Sequence, residues 1–136
     1  MAPAVPFFVR AFRAPVTPAR LRSVREGLLQ EALNQGIVEE KAWNLVAAAD
    51  EILCNIEEHS NARWMEISAE RSDEGEAVLR ICDDGHDFDI SKAAAKAPGP
   101  SGWRERHLGL WMVKRLASAM ESRRSPEGAN EILIRF

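Results

Sequence analysis

Apolar residues recur along this chain with two different periods, and the changes of period divide it into elements. "FFVRAF" at 7–12 has strand composition and lies between Pro6 and Pro15. Leu21, Val24, Leu28 and Ala32 then return at helical spacing. Thr17 and Pro18 form the start signal of that helix, a hydroxyl cap followed by a ring already set for the first turn, and Gly36 is its stop. A second helix is predicted over 39–59, with Ala42, Leu45, Val46, Ala49, Ile52, Leu53 and Ile56 on its buried stripe.

The period then changes to two. "RWMEISAE" at 63–70 alternates, with Met65, Ile67 and Ala69 facing one way, "DEGE" at 73–76 turns, and "AVLRICD" at 77–83 returns as a strand. Residues 89–107 follow neither period; with Pro98, Gly99, Pro100 and Gly102 they read as a long mobile loop. A third helix is predicted over 108–120, burying Leu110, Val113, Ala117 and Met120, and strands near 121–125 and at 131–136 close the chain. No internal repeat interrupts this order. It predicts an α/β (α+β) fold, a two-layer sandwich with three helices on one face of a mixed, mostly antiparallel sheet.

Composition narrows the class without changing the architecture. The 136 residues suit a single domain, and 46% apolar with 29% charged residues is ordinary for a globular protein. A net charge of −3 argues against a generic nucleic-acid binder, and no apolar run approaches a bilayer-spanning length. Cys54 and Cys82 fall inside predicted elements and read as reduced packing residues, which points to the cytoplasm. The first 25 residues hold five arginines (Arg10, Arg13, Arg20, Arg22, Arg25) and no acid, which superficially suits a transit peptide. Clean strand and helix signals across the same stretch favour a folded segment instead.

Candidate chemistry sits in three places. "DEILCNIEEHS" at 50–60 spaces Glu51, Asn55 and His59 four apart, which stacks them on one helix face beside the apolar stripe. "DDGHDFD" at 83–89 ends the return strand; Asp83 shares a side with Leu79 and Ile81, so its carboxylate is expected between sheet and helices, and Gly85 allows close approach. "RERHLGLWMV" at 104–113 leads a basic segment into a glycine-containing helix start, a place where backbone N–H groups and Arg104 or Arg106 suit phosphate. Each motif alone is weak. Polar stripes, strand-end turns and basic helix starts are common without function.

Taken in this order, the three motifs resemble the GHKL (Bergerat-fold) ATPase superfamily, and the chain resembles its RsbW/SpoIIAB-like anti-sigma factor branch, which are serine/threonine protein kinases. The likeness runs over residues 6–136, with "DEILCNIEEH" similar to the N box and "DDGHDFD" and "RHLGLWMV" to the two glycine boxes. It implies ATP and Mg²⁺ as cofactors. Asn55 would hold the metal, Glu51 would serve as catalytic base, and Asp83 would read adenine. His59, Gly85, Phe88, Arg104, Arg106, Gly109 and Leu110 would line the nucleotide site, and 89–107 would be an ATP lid carrying Lys92 and Lys96 as well. It further implies a STAS-domain anti-anti-sigma antagonist as substrate, a sigma factor or other regulator as sequestered partner, and a homodimer, with no direct nucleic-acid or membrane contact. The sequence departs from the pattern at Asp87 and His107, where glycines are usual; the threonine often found near adenine on the last strands is Asn130 or is absent. An ATP-binding interaction module of the same fold without kinase activity is the alternative. A two-component histidine kinase fragment fits poorly, because no helix with a phospho-acceptor histidine precedes the first strand.

Overall fold

The computed structural model describes residues 9–12, 18–59, 62–86 and 107–136. Their elements are β1 (Val9–Phe12), α1 (Pro18–Asn34), α2 (Glu39–His59), β2 (Trp64–Arg71), β3 (Ala77–Asp83), α3 (His107–Leu116), β4 (Ala119–Arg124) and β5 (Asn130–Arg135). The strands form one sheet in the order β1-β2-β3-β5-β4, with all four pairings antiparallel. The three helices cover one face, as the two-layer pattern predicts.

Period two decides which residues face the helices. Met65, Ile67 and Ala69 of β2, Leu79 and Ile81 of β3, and Ile132 and Ile134 of β5 are buried with Leu45, Ala49, Ile52, Ile56, Leu110 and Val113 from the helix layer. Ten of the largest fully buried side chains, Leu28 and Leu79 among them, lie below 2% exposure, so truncating one would open a cavity. The opposite face alternates charge: Arg80 pairs with Glu131 at 3.0 Å and with Glu70 at 3.5 Å, and Arg123 also pairs with Glu131. Ser68, Val78 and Leu133 lie buried among these side chains on that face.

Local chemistry sets the helix ends. Gly36 has a φ of +82°, and the N–H of Ile37 reaches the carbonyl of Ala32 at 3.1 Å while Gly36 N–H reaches Leu33. This left-handed cap ends α1 where the glycine predicts it. Gln35 then ties the cap to the sheet: its Nε2 donates to Ala69 O at 2.9 Å and its Oε1 accepts from Arg71 N at 2.8 Å. Glu39 and Glu40 occupy the first turn of α2, where the helix dipole favours acids. Arg25, one of the five arginines near the start of the chain, is paired with Asp50 of α2 at 3.3 Å. The side chain of Arg20 lies outside the described residues.

One boundary differs from the sequence reading. The third helix stops at Leu116, not at 120, and the following strand begins at Ala119. Ala117 N–H still bonds Val113, but Ser118 N–H turns to Arg135 O at 2.7 Å and starts the pairing of β4 with β5. Ala117 and Met120 do pack against the core, so spacing alone could not show that the second does so from a strand.

Asp84 fixes where β2 begins. Its Oδ1 accepts from Arg63 N at 2.7 Å and Trp64 N at 3.1 Å. Burial works to raise this carboxyl, but the Trp64 and Arg63 N–H groups and the Arg63 guanidinium outweigh it and hold the group below its ordinary value of 3.8. Asp84→Ala should therefore cost about 1–3 kcal/mol by chemical denaturation at neutral pH. A depressed carboxyl stabilises the fold above its unfolded pKa and loses that effect as pH falls through the folded one. The gap between wild type and variant should hold down to about pH 4 and close below it; a gap unchanged through acid would remove Asp84 from this role.

Candidate functional site

Glu51, in the polar stripe of α2, meets the first turn of α3 at Gly109, and these two helices with the inner-facing end of β3 bound the candidate cleft. Asn55 is 6% exposed, although it lies within a helix that is otherwise apolar on its buried side. Its Nδ2 donates to Glu51 O at 2.8 Å, which fixes the amide's orientation and leaves Oδ1 as the atom that could ligate a cation. Glu51, one turn earlier, is half-buried. A Cβ built on Gly109 would fall inside the Glu51 carboxyl, so that carboxyl rests directly on the α3 backbone. The glycine of this motif thus serves a close approach between helices, with no positive φ involved.

Asp83 is 3% exposed and lies on the inner face, as its strand side predicts. A carboxylate so deep must be hydrogen-bonded. Its Oδ1 accepts from Gly85 N at 2.8 Å, closing the turn after β3, and from Asn130 Nδ2 at 3.2 Å. Asn130, itself 5% exposed, also donates to Gly85 O at 3.0 Å and His86 O at 2.8 Å, and its Oδ1 accepts from Arg124 Nη1 at 3.1 Å. One carboxamide therefore clamps the carboxylate and the turn together. Sequence reasoning named Asn130 only as a stand-in for a missing threonine. A polar residue opening an otherwise apolar strand was the available signal, but its partner lies 47 positions away.

The structure brings Glu51, with Asn55 one turn on, against Gly109, and joins Asp83 and Gly85 to Asn130 at the end of β3. Leu110 is 1% exposed and belongs to the core beneath the cleft. His59 is the last residue of α2, with its side chain outside the described residues, and Phe88, Asp87, Arg104, Arg106 and most of the 89–107 segment also lie outside them. No cluster of three or more His, Cys, Asp or Glu that could cage a metal occurs among the described residues. One carboxamide oxygen fits Mg²⁺, which keeps most of its ligands as water and phosphate oxygens. Cys82 lies on the opposite sheet face, where burial and then Glu131 push its thiol up to about 11, so it is a packing thiol and no nucleophile at neutral pH.

This chain belongs to the histidine kinase-like ATPase domain family, whose model matches residues 14–136. Membership implies that the domain binds ATP. No curated protein matches the sequence significantly. Among solved structures it is similar to a chain of the SiaB-SiaC complex from Pseudomonas aeruginosa, with a TM-score of 0.67 and 12% identity over 96% of this chain and 88% of that one. It is also similar to the chain with the RsbU and RsbW domains of Rv1364c from Mycobacterium tuberculosis, with a TM-score of 0.63 and 19% identity. There it covers 98% of this chain and 32% of the other, so it spans about a third of that protein. These likenesses establish a shared fold. No helix among the described residues is long and apolar enough to cross a membrane.

Gly109→Ala tests the contact between α2 and α3. The methyl meets the far end of a flexible side chain, so Glu51 can swing aside. Thermal stability should change by less than about 1 kcal/mol, since alanine favours the helix that glycine weakens. The Glu51 carboxyl resonance should nonetheless shift and titrate differently by NMR. An unmoved resonance would show that the two groups do not touch in solution.

Proposed function

We propose that this domain is an ATP-dependent serine/threonine protein kinase and anti-sigma regulatory factor. It phosphorylates a STAS-type antagonist, sequesters a sigma factor or similar regulator, and works as a cytoplasmic homodimer. The observation that carries the reading is the contact of Glu51 with Gly109, with Asn55 oriented one turn on and Asp83 clamped at the inner end of β3. The family match and the two structural neighbours, one of them holding an RsbW domain, support it.

Each residue then has a task. Asp83 accepts from the exocyclic amine of adenine, and Asn130 keeps the carboxylate aimed by occupying its Oδ1. Asn55 Oδ1 is the atom that would hold Mg²⁺. When bound there, the cation would supply positive charge against the charge that develops on the phosphates during transfer. Glu51 takes the proton from a serine hydroxyl as its oxygen bonds the γ-phosphorus and the bond to the β,γ-bridging oxygen breaks, leaving phosphoserine and ADP. Arg106 is assigned as the main phosphate contact of the 89–107 lid, with Arg104, Lys92 and Lys96 beside it.

Glu51→Gln keeps the shape and removes the proton acceptor, so transfer of labelled phosphate to a cognate antagonist should fall roughly 10²- to 10⁴-fold with ATP affinity unchanged. Asn55→Ala should weaken Mg²⁺-ATP binding by calorimetry about tenfold or more, on the order of 1.4 kcal/mol. Wild-type protein that binds Mg²⁺-ATP yet labels no antagonist would favour an interaction module of the same fold without kinase activity. A Gln variant as fast as wild type would clear Glu51 of the base role.

A further inference from the structure

Five large apolar side chains are exposed among the described residues: Leu33 at 41%, Val38 at 61%, Trp43 at 53%, and Met112 and Leu116 at 46% each. Singly exposed apolar residues are ordinary, but these fall into two groups, one about the α1–α2 connection and one on α3. Leu33, Val38 and Trp43 surround the α1–α2 connection, at the end of the helix layer that Gln35 ties to the end of β2. The helix α3 starts at Glu51, near the other end, and runs back toward Ser118, which bonds Arg135 O and Glu76. Leu116 therefore reaches the same end, remote from Asp83.

The C-terminal half of α3 has further features of a docking site. Between it and β4 lies a depression of about 250 Å³ lined by Lys114, Ala117, Ser118, Ala119 and Met120. Its walls are mostly apolar, and it has room for one leucine- or phenylalanine-sized side chain. The helix carries no acid; its last turn has Lys114 and Arg115, both exposed, with the Arg115 guanidinium 5.0 Å above the Trp111 ring. That stacking holds one cation against the helix and leaves Lys114 at the lip of the depression.

We propose that α3 and the start of β4 dock a partner protein through an acidic amphipathic helix. One large apolar side chain enters the depression, others cover Met112 and Leu116, and flanking carboxylates meet Lys114 and Arg115. The charge distribution selects this occupant. A second copy related by a two-fold axis through α3 would set Lys114 and Arg115 against their own counterparts. An anionic membrane is recognised through clusters of about four to eight basic residues, and α3 offers Lys114 and Arg115 alone. The surface lies away from the ATP cleft and stands without the kinase reading.

The test is an NMR titration of the full isotope-labelled chain with a synthetic peptide. The peptide has about 18 residues, long enough to be helical, with leucines at helical spacing and glutamates elsewhere. Amide shifts should concentrate at Met112–Met120 and weaken with added salt. Leu116→Ser and Lys114→Glu should each reduce affinity about fivefold or more with unchanged melting temperature, because both side chains are exposed. The same peptide with lysines in place of glutamates should produce no such shifts. Equal shifts from the lysine peptide, or an equal loss from Val38→Ser, would overturn the proposal as indiscriminate apolar contact. So would shifts at α3 that follow protein concentration alone, which would indicate a second copy. Shifts with phosphatidylserine vesicles but not the glutamate peptide would indicate a membrane instead.

Discussion

A carboxylate buried at the end of a strand is the constraint on which this molecule turns. Asp83 lies 3% exposed on the inner face, in line with Leu79 and Ile81, where an unsatisfied charge would cost several kcal/mol. Its hydrogen bonds reach in two directions. The bond from Gly85 N curls the chain back at the end of β3, and the bond from Asn130 Nδ2 crosses to β5. Asp83 and Asn130 are also register partners in the sheet. A one-residue slip of β5 would separate them and turn Ile132 and Ile134 away from the helices, so polar and apolar groups enforce the same pairing.

The cleft follows from that pairing. With β3 and β5 fixed, α3 can pack only beside α2, and Val113 and Leu110 fill the space behind. The two helices then approach until the Glu51 carboxyl meets the backbone of Gly109. Every group that defines the described part of the cleft thus stands on a helix, a strand end or a turn closed by a hydrogen bond. Side chains fixed this way need little reordering before they act, which is the physical content of preorganisation.

Most of this frame was legible in the sequence because it depends on local period and local punctuation. The bounds of α2 and β3 follow from spacing alone, and the end of α1 follows from Gly36. The stripe of Glu51 and Asn55 is visible for the same reason. The end of α3 was not, since Ala117 and Met120 satisfy the helical period and the strand is chosen by a bond from Ser118 to Arg135, far away in sequence. The duties of Asn130 and Gly109 escaped for a related reason. Each is defined by a partner, Asp83 or Glu51, that folding brings near, and no window along the chain contains both members.

The path of α3 joins two ends of the molecule. Its first turn lies against Glu51 at the cleft, and its last turn exposes Leu116 beside β4. A helix of 10 residues behaves as a rigid rod over that length, so a displacement at one end is felt at the other. Coupling would still require that ATP and a partner each favour a different position of the rod; a ligand indifferent to the two positions shifts nothing. Gly109 bears on that condition. With no Cβ between them, the carboxyl and the helix are in direct contact, so a displacement of α3 changes the setting of Glu51. On the kinase reading, the same movement that altered the distal surface would also alter the setting of the base, tying partner choice to chemistry through one contact.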